Sequence, residues 1–158
     1  MRIPTMVTAA VLLSMASTPA HAAPPLDEPN FAADPLATSY PADALLGNWW
    51  TEGKEGKMKI VKTKKGRYEV LLLSGKEENK KDVNNPKPEL RDRKLKGIVI
   101  MWNLKFEDGE YVDGYCYNPR DGNTYRVKMK ITGPASLRLR GYLAVPLLGK
   151  NQDWTRAE

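Results

Sequence analysis

The chain has one histidine, His21, and one cysteine, Cys116. That scarcity removes whole classes of chemistry. A nucleophile activated by histidine needs a His beside a Ser or Cys, and a structural zinc site needs several Cys or His ligands. An internal disulfide needs a second cysteine. No acidic run with the spacing of a cation-binding loop stands in for them, so no metal or cofactor is expected. Heptads and internal repeats are also missing. So is any apolar stretch of the roughly 20 residues that a membrane-spanning helix requires.

The longest apolar run, Met6 to Ala16, has a different character. Arg2 precedes it, and Ala20-His21-Ala22 follows with small residues at the positions a signal peptidase reads. Residues 1–22 are therefore expected to be a cleaved signal peptide, cut after Ala22. No cysteine follows the cut to carry a lipid. The product is expected to be exported, which in a Gram-negative cell means the periplasm. Its only histidine would leave with the signal.

Residues 23–43 carry Pro24, Pro25, Pro29, Pro35 and Pro41 and no Lys or Arg. This composition predicts an extended, disordered tether. Residues 44–158 differ sharply. Of the 25 Lys and Arg, only Arg2 lies outside them, whereas Asp27, Glu28, Asp34 and Asp43 of the 19 acids do. The basic excess invites a nucleic-acid reading. Export argues against that partner, and the lysines are interspersed with acids, as in Lys76-Glu-Glu-Asn-Lys-Lys-Asp82. A solvated basic surface and attraction to anionic envelope components both remain open.

Within 44–158 the pattern alternates with period two and is punctuated by Gly, Pro and Asn, which predicts strands and almost no helix. Strands are expected at 47–52, 57–63, 67–73, 95–104, 110–117, 124–131, 137–144 and 152–157. Tight turns between them indicate an antiparallel meander closing into a β-barrel of about eight strands.

Turn chemistry sets the register of three hairpins. Lys64-Lys65-Gly66 fits a three-residue loop, pairing Met58 with Leu72 and Ile60 with Val70. Pro119-Arg120-Asp121-Gly122 fits a type I turn, with Pro at the φ-restricted position and Gly where φ is positive. It pairs Asn118 with Asn123, Cys116 with Tyr125, Gly114 with Val127 and Val112 with Met129. The other face then reads Tyr115–Arg126, Asp113–Lys128 and Tyr111–Lys130. The turn at Thr132–Ser136 adds Tyr142 beside Arg126, Arg140 beside Lys128 and Arg138 beside Lys130. An arginine between two tyrosines suits a cation–π arrangement, about 0.5–1 kcal/mol per exposed contact.

Met58, Ile60, Val70, Leu72, Ile98, Ile100, Val127, Met129, Leu137 and Leu139 would supply an apolar interior. Cys116 would be a small buried hydrophobe there. The stretch 74–94 is too long for a passive connector. Its Asp82, Asn85, Arg91 and Arg93 would bind each other or an outside anion.

Gly47-Asn48-Trp49 at the first strand and Trp154-Thr155-Arg156 at the last resemble the lipocalin pattern. There, a Gly-x-Trp at the barrel's start packs near a basic residue from its end. Four blocks together resemble the bacterial domain-of-unknown-function family 2147. They are Gly47-x-Trp49; Asp82-x-x-Asn85-Pro86 with Arg91-x-Arg93-x-Leu95-x-Gly97; Gly114 with Tyr117-Asn-Pro119 and Gly122-x-Thr124-Tyr125; and Leu139-x-Gly141-Tyr142 with Gly149 and Trp154-Thr155-Arg156. Asn118 replaces a usual aspartate, and Lys76–Lys81 is unusually basic. The resemblance implies a small exported protein of lipocalin-like (calycin) architecture and carries over no catalytic residue.

The expected function is binding of a small apolar or amphipathic, lipid-like ligand in the envelope. The alternative is an interaction protein without a small ligand, contacting anionic envelope components or a protein through its basic loop and Tyr/Arg face. An enzyme is not expected: Asp113 beside Lys128 is the one catalytic-type pair the register suggests, and charge pairing accounts for it. Candidate binding residues are Trp49, Asp82, Asn85, Arg91, Arg93, Tyr115, Tyr125, Arg126, Tyr142 and Arg156.

Overall fold

Alternation of large apolar and polar side chains gives each strand one face that must leave water. In the computed structural model, which describes residues 40–76, 78–143 and 149–158, those faces close on one another. The expected signal peptide and the tether up to residue 39 lie outside the described residues. Eight strands form a closed antiparallel barrel in chain order. They are β1 (Gly47–Trp50), β2 (Gly56–Lys62), β3 (Tyr68–Gly75), β4 (Val99–Glu107), β5 (Glu110–Asn118), β6 (Asn123–Gly133), β7 (Ser136–Tyr142) and β8 (Lys150–Arg156). β8 pairs back onto β1, Arg156 opposite Trp49. Closure leaves no free sheet edge to recruit another chain.

The turn-derived registers hold in β2–β3, where Met58 faces Leu72 and Ile60 faces Val70. They hold in β6–β7, where Ile131 faces Leu137, Met129 faces Leu139 and Arg126 faces Tyr142. In β5–β6 they hold from Asn118–Asn123 to Gly114–Val127 and then fail. A bulge at Asp113, whose φ is 59°, puts Tyr111 rather than Val112 opposite Met129. An extra residue in one strand reverses the side-chain parity beyond it. Tyr111 therefore points into the core, against the expectation that it lay outside beside Lys130. Likewise Asp113 meets Arg126 at 3.4 Å rather than Lys128. Lys128 and Lys130 each approach Glu110 at 3.8 Å. The fourth strand begins at Val99, not 95, so Ile98 is only partly buried.

The barrel's floor is sealed by the 3₁₀ turn Ala42–Leu45. Tyr40 to Asp43, assigned by composition to the tether, thus sit against the barrel, and Tyr40 packs on the core. The turn's carbonyls are satisfied from three strands. Trp49 donates its indole N–H to Leu45 O at 2.9 Å. Tyr111 donates its hydroxyl to Ala42 O at 2.7 Å. Arg156 donates to Ala44 O and Leu46 O, both at 2.7 Å, with its guanidinium 4.0 Å from the Trp49 ring. Asp43 accepts from Tyr68 and Lys62 at 2.7 Å each. Gly47 begins this arrangement because its φ of 119° suits only glycine, and a Cβ would lie 3.1 Å from Arg156 Nη1. The Gly-x-Trp…Arg pattern is thus a floor clamp. Arg156→Lys keeps the charge but cannot span two carbonyls. It is expected to cost about 1.5–3 kcal/mol, read from the urea midpoint; an unchanged midpoint would contradict the clamp.

Candidate functional site

Below mid-height the barrel is filled. Ile60, Val70, Met129 and Leu137 are buried in one cluster with Tyr68, Leu104 and Tyr111. Above it, toward the end away from Trp49, the wall residues leave space. A cavity of about 1550 Å³ opens there, larger than the roughly 300–1,000 Å³ of most small-molecule sites. Its wall is apolar: Met58, Leu72, Ile100, Met101, Val127 and Leu139, with Trp154 from β8. Its rim is polar and built from the Thr51–Gly56 connection, the Asn118–Asp121 turn, Lys80, Lys81, Tyr142 and Lys150. At the rim Tyr125 donates its hydroxyl to Asp121 at 2.7 Å. Trp154 donates its indole N–H to Gln152 at 3.2 Å.

Gly141 decides part of this volume. It stands opposite Val127 in the wall of β7, and a Cβ added there meets nothing within 4 Å. Gly114 on β5 is the opposite case. A Cβ there would fall 2.5 Å from Leu104 Cδ2 and 2.7 Å from Val127 Cγ1, so that glycine permits close packing. On one side of Val127 a glycine leaves open space; on the other a glycine lets Val127 and Leu104 pack closely. Gly114→Ala is expected to cost about 1–3 kcal/mol through overpacking, measured as a lower denaturant midpoint. No loss would mean the core relaxes freely around it.

Cys116 faces Met101 and Tyr125 and lines the cavity, partly buried. Burial first, and the nearby Asp121 charge second, push its thiol up to about 12. It therefore stays protonated at neutral pH and is a poor nucleophile. Its reaction with a thiol probe at pH 8 is expected to run more than about tenfold slower than in the urea-unfolded chain. Equal rates would overturn this placement.

The segment after β3 folds as an ordered flap on the outer face of β4 and β5. Asp82 is its centre, fully buried. It accepts hydrogen bonds from the Tyr117 hydroxyl, from Asn85 Nδ2 at 2.7 Å and from Arg93 Nε at 2.9 Å. Arg93 Nη2 adds a second contact at 2.8 Å. Arg91 donates to Asn85 O at 2.8 Å. Burial and this carboxylate push Tyr117 up to about 12. Asn84 donates to Pro119 O and Arg120 O at 3.1 and 3.0 Å, pinning the flap to the β5–β6 turn. Gly122 makes that approach possible: a Cβ would sit 2.1 Å from Asn84 O.

The ten candidate residues therefore fall into four groups. Trp49 and Arg156 hold the floor. Asp82, Asn85, Arg91 and Arg93 hold the flap, turned toward one another. Tyr115 and Arg126 lie outside the barrel, with Arg126 donating to the Tyr115 hydroxyl at 3.0 Å and lying 4.8 Å from its ring. Trp102, not anticipated, stacks on Tyr115 with centroids 5.9 Å apart. Only Tyr125 and Tyr142 border the cavity. Leu95, Met101, Gly141 and Trp154 are among the cavity residues that the sequence pattern did not place in the interior. For Gly141 a signal existed, because the β6–β7 register already placed it opposite Val127.

Residues 47–156 match the family described as "Uncharacterized protein conserved in bacteria (DUF2147)". Among solved structures, protein HP1028 from the human pathogen Helicobacter pylori, described as belonging to the lipocalin family, superposes with a TM-score of 0.65 at 27% identity. The match covers 72% of this chain and 83% of that one. No curated protein matches the chain.

Proposed function

The chain belongs to the DUF2147 family, and on that premise we propose that it binds a small apolar or amphipathic molecule inside its barrel, in the periplasm. The observation that carries this is the cavity's division: apolar wall at depth, polar rim at the mouth. An amphiphile fits such a site tail-first, its apolar part replacing water and its polar end meeting the rim. The lipocalin description of the Helicobacter pylori neighbour agrees with this use of the fold. The signal-like start of the sequence supports the location.

Binding without catalysis is part of the proposal. Burial of the Cys116 thiol, which disfavours its thiolate, supports that part. Titration with a fluorescent fatty-acid analogue tests the reading. Saturable uptake that slows labelling of Cys116 is expected, since the thiol lies in the wall. Absence of saturable uptake would refute it.

A second reading has its own observation. The Trp102–Tyr115–Arg126 stack on the outer wall is a surface suited to a protein or anionic envelope partner. Charge reversal at Arg126 and Lys128 should abolish capture of such a partner. Arg140, at 7% exposure, is better left intact because reversal there would disturb the fold.

A further inference from the structure

Two of the three exposed large hydrophobic residues among those described, Val83 at 61% and Leu143 at 72%, border the cavity mouth. Val83 is not exposed for want of order. Its neighbours on both sides are fixed, Asp82 by burial among Tyr117, Asn85 and Arg93, and Asn84 by its two bonds to the β5–β6 turn. The fold thus holds an apolar side chain outward. Around the same mouth stand Lys80, Lys81, Arg120 and Lys150, all exposed. The rim also carries acids. Glu55 is engaged by Lys76 at 3.1 Å and Arg120 at 3.5 Å, Asp121 by Tyr125 and Asn118, and Asp92 pairs with Lys81 at 2.8 Å, while Glu52 stands at the edge.

We propose that the open end of the barrel docks on an anionic lipid bilayer, with Val83 and Leu143 entering the headgroup region and Lys80, Lys81, Arg120 and Lys150 facing the phosphates. This rests on the cavity reading and extends it: the ligand would pass between membrane and barrel without crossing water. The chemistry is that of peripheral membrane contact, in which apolar insertion and basic charge each contribute and neither suffices alone.

The test is co-sedimentation of the protein, as isolated from cells, with vesicles of phosphatidylcholine alone or mixed with phosphatidylglycerol. Binding to the mixed vesicles is expected, weakening as salt rises. The double variant V83D/L143D should bind them at least about tenfold more weakly, and so should R120E/K150E. V83D/L143D, whose altered side chains point outward, should take up a soluble fluorescent fatty-acid analogue as the wild type does, whereas R120E/K150E alters the rim itself and is read on vesicles alone. Equal sedimentation with neutral vesicles, or unchanged binding by V83D/L143D, would overturn the proposal. So would self-association that the double variant abolishes, because the patch would then belong to a second copy of the chain. If the soluble probe enters and vesicles do not bind, only the docking fails. If the probe never enters, the cavity reading fails, whatever the vesicles do.

Discussion

Asp82→Ala is expected to lower stability by about 2–4 kcal/mol, somewhat below the range for a fully buried ion pair because water reaches part of the Arg93 guanidinium. Asp82 has no solvent contact and accepts from three side chains, Tyr117, Asn85 and Arg93. Alanine would leave the Tyr117 hydroxyl and Asn85 amide without their acceptor in a site water does not reach freely, and would leave the half-buried Arg93 without its carboxylate. Asp82→Asn keeps the volume but turns an N–H₂ group toward donors, so it should recover only part of the loss. Tyr117→Phe removes one donor and should cost about 1 kcal/mol. Urea denaturation reads all three. Proteolysis adds the location: cleavage in the segment 76–98 should rise first in Asp82→Ala, because that cluster joins the flap to the barrel. A loss below about 1 kcal/mol, with unchanged protease resistance, would show that the flap is held by other contacts.

Gly141→Phe should abolish uptake of a fluorescent fatty-acid analogue, raising its Kd by more than about a hundredfold, while the barrel stays folded. The argument is geometric. Gly141 is flanked by Val127 and Lys150 in the sheet, so its backbone is extended and accepts a side chain. Its missing Cβ points into open space. A phenyl group there occupies the volume a ligand would use and buries apolar surface rather than exposing it. The thermal midpoint should hold or rise. Gly141→Ala, adding one methyl, should bind nearly normally. Loss of binding together with loss of fold would not fit, and neither would unimpaired uptake by Gly141→Phe. The first would mean that the space beside Gly141 does not accept a side chain; the second would mean that the wall at β7 does not border the occupied volume.

Much of the barrel is legible in the sequence because turns carry strict backbone demands. Lys64-Lys65-Gly66 and Pro119–Gly122 place a glycine where φ is positive, and each fixes a hairpin register several residues away. What escapes is what no turn rule encodes. Asp113 takes a positive φ without being glycine, and that bulge alone moves Tyr111 to the core and Val112 off the inner face. The flap escaped for a different reason. Asp82 and Tyr117 are 35 positions apart, and nothing local says that a lysine-rich stretch broken by Pro86 and Pro88 will cover a strand. The Trp49–Arg156 pairing was readable only through a resemblance, and its role as a seal for the 3₁₀ turn Ala42–Leu45 needed the geometry. The division of the interior into packed floor and open top was not legible at all. The same alternating Met, Ile, Leu and Val residues line both halves. Two glycines at 114 and 141 look alike in sequence, and only their neighbours distinguish a packed contact from a void.

The claim at the centre is that the upper half of the barrel holds a molecule. Native mass spectrometry of the protein as isolated from cells tests it most directly, comparing the wild type with Gly141→Phe. The account predicts a wild-type species heavier than its own chain, the excess leaving as an apolar or amphipathic compound on denaturation and absent from the variant. A wild type that carries only its chain mass, and gains nothing when incubated with fatty acid or phospholipid, would contradict it.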